Sequence, residues 1–162
     1  MAERKNTIWR VVILALAVLF GCPQGEADAE PSVTKNSLKA AFIYHFISFT
    51  EWNDDKPSYF VCIPDDEDLR EAARESFKGK MISNRRVVVV ARTQSCHVLV
   101  SDRMAMMGDK ALTIGQLGKG ALFEFREIDH KMRFAVNLDL VQKSPFKISS
   151  QLLKLAIIDK DS

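Results

Sequence analysis

The 162-residue sequence is sparing in the residues that specialise a chain. With three cysteines, seven glycines and five prolines it is neither a disulfide-dense scaffold nor a collagen-like or low-complexity chain. It has little charge excess: 23 basic against 21 acidic residues leave +2, with no basic stripe to neutralise phosphates, so nucleic acid is not an expected partner. No apolar run reaches the roughly 20 residues that a membrane-spanning helix requires. Gly-x-Ser-x-Gly, His-Glu-x-x-His and Walker sequences are missing, and the three histidines do not cluster. These absences favour binding or regulation over catalysis, with no catalytic residue, metal or cofactor expected.

The first thing present is an ordered leader. Arg4, Lys5 and Arg10 precede the apolar run "VVILALAVLF", and "GCPQGEADA" follows with its helix breakers. Residues 1–29 therefore read as a secretory signal rather than an anchor. Two processing sites compete: "ADA" ahead of Glu30, and a lipoprotein box "LFGC" that would lipidate Cys22. Past residue 29, Cys62 and Cys96 are the only thiols. An even pair in an oxidising compartment reads as a disulfide, with two buried thiols as the alternative.

Residues 30–162 have the length of one ordinary domain. "LKAAFIYHFISFTEW", Leu38 to Trp52, reads as a helix capped by Asn36 or Ser37 and ended near Pro57. On a wheel Leu38, Phe42, His45, Phe46, Phe49 and Trp52 form one stripe, expected to be core, with His45 as a neutral buried histidine. The opposite side carries Ala40, Ile43, Tyr44 and Ile47, which points to cover by a second layer or by another chain; these four are the candidate partner or dimer interface.

The runs "YFVCI", "RRVVVVA" and "CHVLVS" are continuously apolar, as strands covered on both faces are. Between the first two, residues 65–80 read as a helix capped by Asp65 or Asp66, whose acidic start is N-terminal preference rather than a cation site. A short helix over 102–107 and a strand "ALTI" continue the alternation. "GQLGKG" leads into a strand, not a helix, so it is a turn and not a phosphate loop. Residues 121–138 alternate about Asp129 and His130 as an antiparallel hairpin, and "FKISSQLLKLAII" reads as a terminal helix. His97 follows Cys96 in a strand, where the two side chains point apart and cannot easily share a metal. The fold class is α/β, one compact domain: a mixed sheet flanked by helices, with a C-terminal antiparallel hairpin and terminal helix.

In this order, the "KAAFIY" helix, "VCIPDD", "CHVLVSD", "ALTIGQL", "MRFAVNLDLV" and the terminal "KISSQLLKLA" resemble the YfiR-like (YfiR/HmsC-like) periplasmic family over Ser37 to Ile157. The resemblance implies a periplasmic regulator that binds the periplasmic part of an inner-membrane diguanylate cyclase and holds it inactive, restraining cyclic di-GMP output, biofilm and exopolysaccharide. It also implies sequestration by an outer-membrane lipoprotein, a tendency to dimerise, and a family disulfide matching Cys62 and Cys96. Two departures stand out: His45 where the family commonly has Asn, and no second cysteine pair. The alternative is an exported small-molecule-binding sensor serving a histidine kinase or transport system.

Overall fold

The computed structural model describes residues 34–103 and 110–158. The leader 1–29 with Cys22, and most of the short helix expected over 102–107, lie outside the described residues. Helix α1 (Lys35–Ser48) is capped by Thr34, which accepts from Ser37 N, two or three residues ahead of the expected caps Asn36 and Ser37. It stops where side chains satisfy its last carbonyls: Thr50 Oγ1 donates to Phe46 O at 2.6 Å and Trp52 Nε1 to Ile47 O at 3.1 Å. The chain then passes through β1 (Thr50–Glu51), β2 (Ser58–Cys62), α2 (Glu67–Phe77), β3 (Met81–Ile82), β4 (Arg85–Val90), β5 (Val98–Val100) and β6 (Leu112–Ile114). A 3-10 turn at Leu117–Lys119 precedes β7 (Phe123–Ile128) and β8 (Lys131–Val136), followed by α3 (Leu138–Lys143), β9 (Lys147–Ile148), α4 (Ser150–Leu153) and β10 (Ile157–Ile158).

Eight strands form one mixed sheet in the order β10-β8-β7-β6-β5-β2-β4-β3. β4, β2, β5, β6 and β7 are parallel neighbours, in keeping with the uninterrupted apolar runs of β2, β4 and β5, whereas β8 and β3 return antiparallel. The β7–β8 hairpin turns on Asp129 and His130, both at positive φ (50° and 58°), the twist a two-residue hairpin loop needs. Asp66 caps α2 through Leu69 N, and buried Arg70 reaches back from that helix to the carbonyl of Ile63 at 2.7 Å, fixing the exit of β2.

The core lies between the sheet and α1 and α2. Phe46 stacks on Phe123 with centroids 4.6 Å apart and meets Phe134 edge-on at 4.9 Å, while Tyr44 leans on Phe77 of α2 at 5.8 Å. Helix α1 is thus covered on two sides, which accounts for apolar residues on nearly all of its circumference. Its buried face is turned about a third of a turn from the aromatic stripe. Ala40, Ile43, Phe46 and Ile47 are buried, Phe42, Phe49 and Trp52 are half-buried, and Leu38 and His45 are exposed. The expected core histidine at His45 is therefore a surface residue.

The C-terminal end also differs from the pattern. Instead of one terminal helix over 146–158 there are two short strands around α4. Lys147–Ile148 pairs antiparallel with Thr50–Glu51, and Ile157–Ile158 runs parallel beside β8. Each end of such a short apolar segment can bury itself by adding to a strand edge, which helical spacing alone does not reveal. Helix α3 was not expected; Asn137 caps it by accepting from Leu140 N.

Candidate functional site

Cys62 closes β2 and Cys96 precedes β5; they are bridged, with Cα atoms 5.8 Å apart. Of the two thiol readings, the disulfide is the one present. It staples the central strand β2, with Cys62 wholly buried, to its parallel neighbour.

Beside the bridge lies a cluster that the spacing of the sequence does not suggest. The buried ring of His97 accepts at Nδ1 from the Phe60 N–H (3.0 Å), so its proton is on Nε2, which faces Asp54 Oδ2 at 2.8 Å. Arg85 Nη2 donates to Asp54 Oδ1 at 2.6 Å, and its guanidinium lies 3.8 Å over the ring of Tyr59. Trp52 and Tyr59 meet the imidazole edge-on, both with centroids 5.4 Å away. Burial holds the pKa of His97 below 6.5, helped by Lys56 and Arg85 and opposed by Asp54. Burial works to raise the pKa of Asp54, but the Lys56 N–H, Arg85 and His97 outweigh it and leave it below 3.8. Asp54, Arg85 and His97 come from the β1–β2 loop, β4 and the position just before β5. Only the fold brings them together: the sequence sets His97 beside Cys96 and records nothing of Asp54 or Arg85.

A second feature is a cleft of about 710 Å³ at the C-terminal ends of β2, β5 and β6. After β2 the chain leaves toward β4, and after β5 it leaves the other way, toward β6, so the cleft sits at a topological switch point of the parallel strands. Ser101 Oγ donates to Asp65 Oδ2 at 2.7 Å across that point. Gly115 permits the close approach: a Cβ there would stand 2.4 Å from the carbonyl oxygen of Ser101. Much of the rim's charge is already engaged, in Lys35–Glu127 (2.6 Å), in Arg126–Glu124 (2.7 Å) and in Asp66 as the α2 cap. Among the described residues no group of three or more His, Cys, Asp or Glu side chains is placed to hold a metal.

The candidate interface on α1 needs correction. Ala40, Ile43 and Ile47 are 0%, 0% and 1% exposed, packed into the chain's own core, so they present no patch to a partner. Tyr44 is half-buried between Phe77 and the carbonyl of Met81, to which its hydroxyl donates at 3.2 Å. The second layer, not another chain, covers that side.

The described residues form a parallel-centred α/β sheet whose core strand β2 is stapled to its neighbour β5. The chain belongs to the YfiR/HmsC-like family, whose profile matches residues 36–157. That span runs from the first turn of α1 into β10, and the family is regulatory rather than catalytic. No curated protein matches the chain. No helix among the described residues is long and apolar enough to cross a membrane.

Proposed function

We propose that this chain is an exported regulator that binds the periplasmic part of an inner-membrane diguanylate cyclase and restrains cyclic di-GMP synthesis, and with it biofilm and exopolysaccharide output. The observation that carries this reading is the family match over 36–157, which takes in nearly every element of the fold. The Cys62–Cys96 bridge supports an oxidising compartment, and the leader supplies the route. Residues 1–29 are removed ahead of Glu30, leaving 30–162 as the working domain; the competing product is anchored through a lipidated Cys22. An outer-membrane lipoprotein that sequesters the domain, and a homodimer built on a surface other than Ala40, Ile43 and Ile47, complete the proposal.

The test is expression of the chain with a membrane cyclase encoded beside it, with cyclic di-GMP read by mass spectrometry and binding by co-purification. Repression should need export: a fall in the nucleotide that persists when residues 1–29 are deleted, or a cyclase that neither binds nor responds, would sink the reading. Intact mass of the exported protein separates cleavage at Glu30 from lipidation. The cleft at the strand ends favours one second reading, a small-molecule sensor for a kinase or transport system; it predicts ligand-dependent stabilisation with no cyclase partner.

A further inference from the structure

The loop 52–57 between β1 and β2 is held down by side chains that cluster around one imidazole. Trp52 packs on His97, Asn53 Nδ2 donates to Pro145 O at 2.9 Å, and Asp54 takes hydrogen bonds from Arg85, His97 and the Lys56 N–H. His97 also completes the sheet. Its backbone N–H donates to Phe60 O at 2.9 Å, and its ring Nδ1 stands where the Phe60 N–H needs an acceptor. The side chain therefore forms the last rung between β2 and β5, next to the disulfide that joins the same strands.

This arrangement has room for only one protonation state. A second proton on the ring must sit on Nδ1, pointing at the Phe60 N–H, so that two donors face each other and a buried backbone N–H loses its partner. Nor would the new charge find a free counterion. Around the ring stand Asp54 and Lys56 from the loop, Arg85 from β4, Tyr59 and Phe60 from β2, and Trp52. Arg85 already balances Asp54, so an imidazolium would leave a net positive charge on a cluster whose imidazole is buried. Proton uptake instead requires the ring to reach water, and that means release of Asp54 and of the loop it anchors.

We propose that Asp54, His97 and Arg85 form an acid-released latch: neutral His97 keeps loop 52–57 closed, and protonation of the imidazole opens the loop and frees Trp52 while the rest of the sheet stays folded. A compartment that exchanges protons with the surroundings would pass external acidity to this loop directly. The latch is a property of the domain itself and does not depend on which partner the regulator binds.

The Phe60 amide reports the latch, because its acceptor is Nδ1 of His97. The experiment is hydrogen exchange on the exported, processed chain by NMR at pH 7, 6 and 5, corrected for the intrinsic pH dependence of exchange. For an open state that titrates near 6.5 and a closed state that does not bind the proton, the open fraction rises up to about 25-fold between pH 7 and 5. Phe60 protection should fall by up to that factor and lie below that of the β7 and β8 amides, whose own fall follows only the global stability. His97→Asn, whose Oδ1 can replace Nδ1 as acceptor but does not titrate, should abolish the fall. Constant protection of Phe60, an equal fall in His97→Asn, or Phe60 protection no lower than that of β7 and β8 at pH 5 overturns the latch. Should that variant not fold, nitrogen shifts of the wild-type imidazole decide. A ring that gains its second proton only as Phe60 loses protection supports the latch, and one that gains it while Phe60 stays protected overturns it.

Discussion

Removing the Cys62–Cys96 bridge perturbs the fold at its central strand. The two cysteines are 34 positions apart, and closing a loop of about 35 residues lowers the entropy of the unfolded chain by an amount worth about 4 kcal/mol at 25 °C. For a domain of about 125 residues, with an unfolding entropy near 0.26 kcal/mol/K, that corresponds to a fall in melting temperature of about 15 °C. Urea denaturation of the oxidised protein, the phosphine-reduced protein and the Cys62→Ala/Cys96→Ala variant measures it. The reduced protein should lose about 3–4 kcal/mol, and the double variant somewhat more, because Cys62 is fully buried and its sulfur leaves a small void. The loss should also have a location. β2 pairs with β5 through only two residue pairs beside the bridge, so exchange should rise first along Val61, Val98 and Leu99, ahead of the β7–β8 ladder. A loss below about 1 kcal/mol, or an exchange increase spread evenly over the sheet, would show that packing rather than the bridge holds these strands together.

Other perturbations have equally definite outcomes. Ile43→Asp with Ile47→Asp should unfold the domain, since it places two carboxylates in a dry core; a folded double variant by circular dichroism would restore these residues as surface. Gly115→Ala should cost about 1–3 kcal/mol in urea denaturation, because its methyl meets backbone at Ser101; a neutral result would show that the two loops yield freely. His130→Gly should stabilise by about 0.5–1 kcal/mol, as it relieves a positive-φ residue in the hairpin turn, and an unchanged or lowered melting temperature refutes that account. Global stability should be flat above about pH 6.5 and decline below it, because the unfolded chain takes up the proton that folded His97 refuses. The Asp54 contribution, present above pH 3.8, is then lost as the pH falls through its lower folded value. Urea midpoints for wild type and His97→Asn across pH 7.5 to 3.5 check both signs, and an unchanged midpoint between pH 7 and 5 contradicts the first.

What the sequence revealed followed from periodicity. Runs such as Val87–Val90 and Val98–Val100 declared buried parallel strands, and the alternation about Asp129 and His130 declared the hairpin. Asp66 announced a helix start, because short polar side chains cap where they stand. Helix α1 was legible as a helix but not in its orientation. With Ala40, Phe42, Ile43, Phe46 and Ile47 distributed around it, the wheel could not say that two layers cover it, so a buried face was mistaken for an interface. His97 misled for a related reason. Its partners Asp54 and Arg85 approach from a distant loop and another strand, and no local pattern records which backbone N–H lacks an acceptor. The ends of the terminal segment pair with β1 and β8, and pairing of that kind depends on edges that exist only once the sheet is assembled.

The β1–β9 ribbon joins the beginning of the domain to its end. A chain delivered N-terminus first, from a ribosome or through a translocation pore, presents Thr50–Glu51 long before Lys147–Ile148 arrive to pair with them. Cys62 and Cys96 also emerge before Lys147–Ile148. The ribbon cannot close until Lys147 and Ile148 have emerged. A nonsense truncation ahead of residue 147 would leave β1 unpaired, a form that quality-control proteases can recognise.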